Sequence, residues 1–491
     1  MGSLSLAIWT PIAFGILLLL IGNERNAATV RWVALIGSLA GLLATVPMMS
    51  SFVSGEAGFQ LVERSVWIER YNMFYLLGVD GISFWLVVLT AFINVVVVIA
   101  GWQVIEQRVH QYMAAFMVLS GLMIGVFLAL DAMLFYVFFE ATLIPMYLII
   151  GGWGGPNKIY AAFKFFLYTL LGSLLMLVAL IYLYNQSGGS FYLADWYNLP
   201  LSSSAQTLVF FAFFAAFAVK VPMWPVHTWL PDVHVEAPTG GSAVLAAIML
   251  KLGAYGFLRF SLPIAPDAAH EWAWLMITLS LVAVVYVGLV AMVQTDMKKL
   301  VAYSSVAHMG FVTLGFFFFN DLGMTGAVVQ MIAHGFVSAA MFLCIGVLYD
   351  RMHSREIASY GGVANTMPKF AAFAVLFAMA NAGLPGTAGF VGEWMVILAA
   401  VQFNFWVAFG AASALIFGAA YTLWMVKRVY LGDVANDNVA KLTDINTREF
   451  VMLALLAVAV LAMGVYPKPM TDVINPSVEL LLQHVAQTKL I

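Results

Sequence analysis

Two neighbouring apolar stretches decide the fold of this 491-residue chain. They read FFAAFAVKVPMW (residues 213–224) and VLAAIMLKLGAYGF (residues 244–257). Each carries one lysine, Lys220 or Lys251, among residues that are otherwise uncharged. An ionisable side chain is costly at membrane depth and is normally retained there for transport or for a proton relay. The two stretches therefore predict membrane-spanning helices, each with a functional charge.

The composition of the whole chain also predicts a membrane protein. Apolar residues make up 63% of the sequence and charged residues 9%, against roughly 25% charged residues in an ordinary soluble domain. So few charges cannot cover a water-facing exterior, which excludes a soluble enzyme and a disordered chain. The net charge of −3 shows no basic excess, so we expect no nucleic-acid partner. The single cysteine, Cys344, excludes an internal disulfide and a four-thiolate iron–sulfur site.

Fourteen apolar stretches are long enough to cross a bilayer, whose core of about 30 Å needs about 20 helical residues. The predicted fold is an all-α polytopic membrane protein with about fourteen transmembrane helices. The stretches cover approximately residues 4–21, 31–53, 76–101, 112–130, 132–150, 162–185, 208–230, 241–260, 273–293, 302–319, 325–349, 370–400, 404–430 and 450–466. The tail after Tyr466 is polar, and we expect it to lie outside the membrane.

The distribution of basic residues predicts the orientation. Loops after odd-numbered stretches hold fourteen of the 21 lysines and arginines, and the even-numbered loops with the tail hold five. Basic loops stay in the cytoplasm, so the odd-numbered loops are predicted to be cytoplasmic and both termini extracytoplasmic. The absence of an evident targeting peptide fits a bacterial plasma membrane or an organelle-encoded chain, and we expect the bacterial membrane rather than the mitochondrial inner membrane.

Two of the predicted helices should be broken. The seventh contains Pro222 and Pro225, and the twelfth contains Pro385 among several glycines. Proline removes a backbone N–H and clashes with the preceding turn, so both helices should be interrupted. Interrupted helices in corresponding positions are typical of transporters built from inverted repeats. The predicted organisation is N-terminal helices with an extracytoplasmic loop (1–111), two inverted five-helix repeats (112–260 and 273–432), and a loop, last helix and tail (433–491).

Four further ionisable residues lie inside apolar stretches. Glu140 lies in FYVFFEATLIPMY, Glu393 in GLPGTAGFVGEWMVILAA, His308 in SSVAHMGFV and His334 in VVQMIAHGFVSAAM. Together with the two lysines, these residues are candidates for a buried proton path.

Three longer stretches carry a resemblance to a known family. They are WIERYNMFYLLGVDGISFWLVVLT (67–90), KVPMWPVHTWLPDVHVEAPTGGSAVLAAIMLKLGAYGFLR (220–259) and DMKKLVAYSSVAHMGF (296–311). The chain resembles the antiporter-like membrane subunits of respiratory NADH–quinone oxidoreductase, or complex I. The resemblance implies proton translocation next to sister membrane-arm chains in a lipid bilayer. It also implies that NADH, FMN, iron–sulfur clusters and quinone are bound by partner subunits, with no cofactor in this chain.

The resemblance also implies roles for particular residues. Glu140 matches the family's glutamate of the fifth helix, and Lys220 and Lys251 match its lysines of the seventh and eighth. His334 matches the relay histidine of the eleventh helix. Glu393 is the acid of the second broken helix, where sister chains carry lysine.

The residues themselves indicate how such a relay would work. A lysine and a carboxylate in a low-dielectric interior hold or release a proton according to their separation. We expect Glu140 and Lys220 to form such a pair, so that withdrawal of Glu140 sends the proton towards Lys251. His334 both accepts and donates near neutral pH. Glu393 would be the terminal group that passes the proton out.

Simpler explanations exist for the charged residues. Glu140 would cap the packing between helices or pair with Lys164, and Lys220 would be a structural counter-ion. Lys251 would extend its amine to the membrane surface. Glu393 would be an end-of-helix group near water.

The histidines have alternatives too. His334 would be a hydrogen-bonded core histidine, and we expect His308 to be structural rather than part of the relay. His227 and His234 cluster with Asp232 and Glu236 near one membrane face. A metal site there needs three convergent ligands, so we favour a solvated or inter-subunit loop, with proton entry as the second interpretation.

Rival functions remain open at this stage. A subunit of a multisubunit cation/proton antiporter and a membrane subunit of a hydrogenase complex would keep the buried relay and change what drives it. A structural spacer would have no proton path, and neutralising Lys220 would then leave activity intact.

Overall fold

The computed structural model describes residues 2–491 and is almost entirely helical. Twelve helices in this range are long and apolar enough to cross a membrane. In chain order the main helices are α1 (Ser3–Ile21), α2 (Glu24–Ser51), α3 (Gly81–Val104), α4 (Val109–Leu128), α5 (Ala132–Trp153), α6 (Lys158–Gln186), α7 (Ser203–Lys220), α8 (Trp229–Glu236), α9 (Thr239–Ile264), α10 (Ala273–Met292), α11 (Met297–Phe316), α12 (Asp321–Met352), α13 (Pro368–Ala382), α14 (Ala388–Phe403), α15 (Phe405–Val429), α16 (Thr447–Val465) and α17 (Lys468–Ala486).

The predicted all-α polytopic fold is confirmed. Each of the fourteen predicted stretches contains helix, including α11 and the shorter apolar pair α13 and α14. The count of fourteen spans, the inverted repeats and the division at residues 112, 260, 273 and 432 stay predictions.

Both predicted helix breaks are confirmed. Helix α7 ends at Lys220, immediately before the segment with Pro222 and Pro225, and α8 begins only at Trp229. Helix α13 ends at Ala382, and Gly383 follows with a φ of +86°, a conformation that favours glycine. Pro385 lies in the turn before α14. The breaks place irregular backbone beside Lys220 and Glu393.

The predicted start of the third helix, at residue 76, was wrong. Residues Gln60–Ile68 and Met73–Val79 form an antiparallel β-hairpin, with strands β1 and β2, and helix begins at Gly81. A short apolar run such as MFYLLGV does not by itself distinguish strand from helix. The helix start is fixed by Asp80, whose side chain accepts hydrogen bonds of 3.0 Å from the backbone N–H groups of Ile82 and Ser83.

The polar tail after Tyr466 contains a helix that the sequence prediction omitted. Helix α17 buries Met470, Ile474, Val478, Leu481 and Val485 on one side. This three- and four-residue spacing is that of an amphipathic surface helix, which has too few consecutive apolar residues to register as a span.

Two helices form the centre of the molecule. Helix α9 is wholly buried and α12 almost wholly buried, whereas most other helices leave a face to the surroundings. Lys251 projects from α9 and His334 from α12. Lys251 and His334 therefore lie in the most enclosed part of the fold.

A buried ion pair joins α3 to α9. The Arg259 guanidinium contacts the carboxylate of Asp80 and donates through Nε to the Tyr255 hydroxyl at 2.8 Å. Asp80 and Arg259 are 3% and 5% exposed. Because Asp80 also caps α3, the pair fixes the end of α9 next to the β-hairpin.

Candidate functional site

Lys220 is the last residue of α7 and is buried beside the helix break. Its Nζ has no hydrogen-bond partner among the described residues. The ammonium lies over the aromatic rings of Phe139 and Phe165, at 5.1 and 5.4 Å from their centroids. A cation over an aromatic face is attracted by the ring quadrupole, which partly compensates the missing partner.

Glu140 lies on α5 next to an irregularity. Helix α5 is interrupted at Thr142, three residues before Pro145. Because proline has no backbone N–H, the carbonyl of Ala141 lacks its usual helical hydrogen bond. The carboxylate interacts electrostatically with Lys220. No contact ion pair within 4.0 Å joins the two among residues 2–491. Glu140 and Lys220 are therefore near each other but separated.

Lys164 has a different partner. Its Nζ contacts the Asp232 carboxylate at 2.6 Å, which joins α6 to α8. The alternative in which Lys164 pairs with Glu140 is therefore not the arrangement found.

Lys251 makes two strong contacts. It is completely buried, and its Nζ donates to the Ala246 carbonyl at 2.5 Å. The same Nζ lies 2.7 Å from Nδ1 of His334. Helix α9 widens into a π-helical turn at Leu245–Met249, directly before the lysine. Such turns are frequent at functional sites.

A line of polar groups continues from His334. The rings of His334 and His308 have centroids 5.8 Å apart. His308 Nδ1 contacts the carboxylate of Glu393, and Gln330 Nε2 donates to the same oxygen at 3.1 Å. The Nε2 atoms of both histidines are buried without a partner among the described residues. From Lys251 to Glu393, ionisable groups follow each other through the protein interior.

His308 was assigned a structural role from the sequence because its depth was misjudged. The predicted span began at residue 302, but α11 begins at Met297. His308 is thus eleven residues into the helix, about 16 Å along its axis. His308 therefore lies further into its helix than the predicted span indicated.

The cluster on α8 divides into two parts. His234 is completely buried, stacks on Phe342 with centroids 4.3 Å apart, and has no partner for either ring nitrogen among residues 2–491. Lys251 and Lys298 are both near enough to act on it electrostatically. His227 is buried near Tyr303. Nowhere in the described chain do three or more His, Cys, Asp or Glu side chains form a group suited to a metal ion.

A cavity of about 400 Å³ opens at the C-terminal end of α8. Its lining includes the charged residues Glu106, Glu236, Lys298, Asp350 and Arg355. Lys298 donates from Nζ to the carbonyl of Ala237 at 2.7 Å. The cavity is lined by both charged and apolar residues and is large enough for several water molecules.

Broken helices that bring ionisable residues together in the interior of a polytopic chain define an antiporter-like membrane subunit. Residues 129–419 match the family model described as NADH:quinone oxidoreductase/Mrp antiporter, TM. Residues 27–130 match the model for the amino terminus of NADH-ubiquinone oxidoreductase chain 4. The chain belongs to the subunit M, or chain 4, family of NADH–quinone oxidoreductase.

Individual relatives agree with this assignment. NADH-quinone oxidoreductase subunit M of Rhodobacter capsulatus is 51% identical, over 98% of this chain and 96% of its own length. NADH-ubiquinone oxidoreductase chain 4 of Arabidopsis thaliana is 46% identical, over 98% and 97%. A chain of respiratory complex I from Thermus thermophilus is 30% identical and superposes with a TM-score of 0.91, over 99% of this chain and all of that one. A chain of the Mrp complex from Dietzia, 20% identical with a TM-score of 0.83 over 99% of each chain, shares the fold.

Proposed function

We propose that this chain translocates protons through Glu140, Lys220, Lys251, His334 and Glu393, with His308 between the last two. The observation that carries the proposal is the line of contacts from Lys251 through both histidines to Glu393. Lys251 contacts His334, and His308 contacts Glu393, while the centroids of the two histidine rings lie 5.8 Å apart. Proton transfer requires groups that are positioned close to each other in this way.

The Glu140–Lys220 pair would be the switch that loads the relay. With the two groups apart, Lys220 has only aromatic rings to stabilise its charge. Its proton then moves towards Lys251, on the adjacent helix. When Glu140 approaches, the charged form of Lys220 is stabilised and the lysine takes up a new proton.

His334 and His308 would carry the proton across the middle of the chain. A charged Lys251 would donate to Nδ1 of His334, and the neutral ring would then hold its proton on Nε2. Nε2 of His334 and Nε2 of His308 have no hydrogen-bond partner among the described residues. A water molecule between these two atoms would join the two rings. Glu393, held by Gln330, would take the proton from His308 and release it on the far side.

Protons would enter from the cavity at the end of α8. Its lining comes from the ends of α3, α5, α8 and α12 with the loops that follow them, and from the start of α11. The basic-residue distribution assigns these loops to the cytoplasm. Lys298 of this cavity and Lys251 of the relay both act on His234 electrostatically. His234 would pass protons inward, which favours the entry interpretation of this cluster over a solvated loop.

The energy would come from redox chemistry on partner subunits that bind NADH, FMN, iron–sulfur clusters and quinone. Sister membrane-arm chains would flank this one in a bacterial plasma membrane, with both termini extracytoplasmic. The family assignment supports this placement, and the fourteen-to-five distribution of basic residues supports the orientation.

The experiment compares Glu140→Gln and Lys220→Ala in the assembled complex, reconstituted in liposomes. We expect both variants to lose proton uptake per electron transferred. Lys468→Ala is the matched control, because Lys468 is exposed and pairs only with its helical neighbour Asp472. A normal proton-to-electron ratio in both test variants would refute the relay and favour a structural spacer.

A further inference from the structure

Helix α9 has no room for a side chain where α7 crosses it. A methyl group on Gly253 would lie 2.8 Å from Cβ of Lys220, 2.8 Å from the backbone N of Val221 and 2.9 Å from the carbonyl of Phe217. One turn further on, a methyl group on Gly256 would lie 2.3 Å from the Phe217 ring. Carbon atoms approach favourably to about 3.5 Å. The end of α7 therefore packs directly against the backbone of α9.

Lys251 leaves α9 on the other side. Lys251 and Gly253 are two positions apart, which corresponds to about 200° around an α-helix. Lys251 accordingly points towards α12, where it contacts His334. Helix α9 lies between the two lysines, and its Cα atoms are only about 2.3 Å from its axis. The separation of Lys220 from Lys251 is then set by how closely α7 approaches this one turn.

We propose that Gly253 is a positioning residue that sets the distance between Lys220 and Lys251. The inference rests on the proposed function, because it requires a proton to pass between these lysines. A methyl group at this position must move from 2.8 Å to the 3.4 Å or more of ordinary contact. Two of the three crowding atoms are backbone atoms at the C-terminal end of α7, so no side-chain rotation can move them away. The displacement is passed to Lys220 itself.

The size of the expected effect follows from this displacement. A misplacement of about 1 Å in a reacting group reduces a transfer rate by up to about a hundredfold. We expect Gly253→Ala to remove most of this chain's share of the proton-to-electron ratio, and to shift the pH at which pumping is half-maximal. The pH shift separates repositioning of a titrating group from simple loss of stability.

The test uses the full complex in liposomes, with NADH oxidation and proton uptake measured together. Gly15→Ala is the matched control. A methyl group there would lie 2.8 Å from Cγ2 of Val118 and 3.0 Å from the carbonyl of Ala114, at the contact of α1 with α4. Both variants place a methyl group 2.8 Å from the nearest atom of a neighbouring helix, but only one does so at the relay. We expect Gly15→Ala to keep the normal ratio and pH dependence.

Because the ratio is counted per electron, it can be measured even when less complex assembles. If Gly253→Ala prevents assembly, Phe217→Leu loosens the neighbouring contact, between the Phe217 ring and Gly256 of α9, and should also change the approach of α7 and lower the ratio. An unchanged ratio and pH dependence in the variant that assembles would overturn the inference. If Lys220→Ala also pumps normally, the relay itself is refuted. If Lys220→Ala loses pumping, the relay stands and only the proposed role of Gly253 is refuted.

Discussion

Replacing His308 by glutamine isolates proton transfer from structure. The amide of glutamine can still donate a hydrogen bond to Glu393, so the buried carboxylate keeps two donors, this one and Gln330. The amide cannot take up and release a proton near neutral pH. The substitution therefore interrupts the line between His334 and Glu393 while keeping its hydrogen bonds.

The expected magnitude follows from the geometry. The rings of His308 and His334 are 5.8 Å apart, which allows one bridging water, whereas a direct transfer from His334 to Glu393 would have to pass the whole length of the side chain at position 308. A positioned acid–base group contributes roughly 10²- to 10⁴-fold to a proton-transfer rate. We expect His308→Gln to reduce proton transfer through this chain about a hundredfold or more, which removes its share of the pumping.

The assay is proton uptake per NADH oxidised in liposomes, with His308→Ala alongside. The alanine variant also deletes a hydrogen bond to a buried carboxylate, at a cost of about 1.5–3 kcal/mol, so it should assemble less well than His308→Gln. A His308→Gln enzyme with the normal ratio would refute the reasoning, since His308 would then be structural, as the sequence suggested.

Two further outcomes are expected. Arg259→Met should lower the amount of assembled complex and its thermal midpoint, because an unpaired buried Asp80 costs roughly 3–5 kcal/mol; Asp80→Asn combined with Arg259→Met should recover part of the loss, and equal loss in both would contradict the pairing. Burial raises the pKa of Asp131 from 3.8 to about 6. Since this folded-state pKa exceeds the unfolded value, the stabilisation by protonated Asp131 is full below about pH 4 and is lost as the pH rises through 6. The thermal midpoint of the unmodified chain should therefore fall between pH 5 and 7, and that of Asp131→Asn should fall by less.

The sequence predicted the fold class because hydrophobic length is a direct consequence of bilayer thickness. Pro222 and Pro385 likewise indicated where helices must break, since proline acts on its own local backbone. The β-hairpin at residues 60–79 and helix α17 escaped prediction. Both depend on contacts with helices distant in sequence, which no local pattern records.

The candidate site was predicted as a set of residues rather than as an order. Because charged residues are rare in apolar sequence, Glu140, Lys220 and Lys251 could be selected as candidates from the sequence alone. It did not reveal that His308 lies between His334 and Glu393, or that Gly253 fixes the approach of α7. These relations arise where helices distant in sequence cross, so they emerged only from the three-dimensional arrangement.

Glu140 is only partly buried, and the face of α5 on which it lies also exposes Val137 and Ile144. The first acid of the line is therefore within reach of whatever lies against that flank. A unit charge brought to about 8 Å would change its energy by about 2 kcal/mol at an effective dielectric constant of 20. In the proposed relay, an event in an adjacent molecule would thus act on Glu140 at a distance.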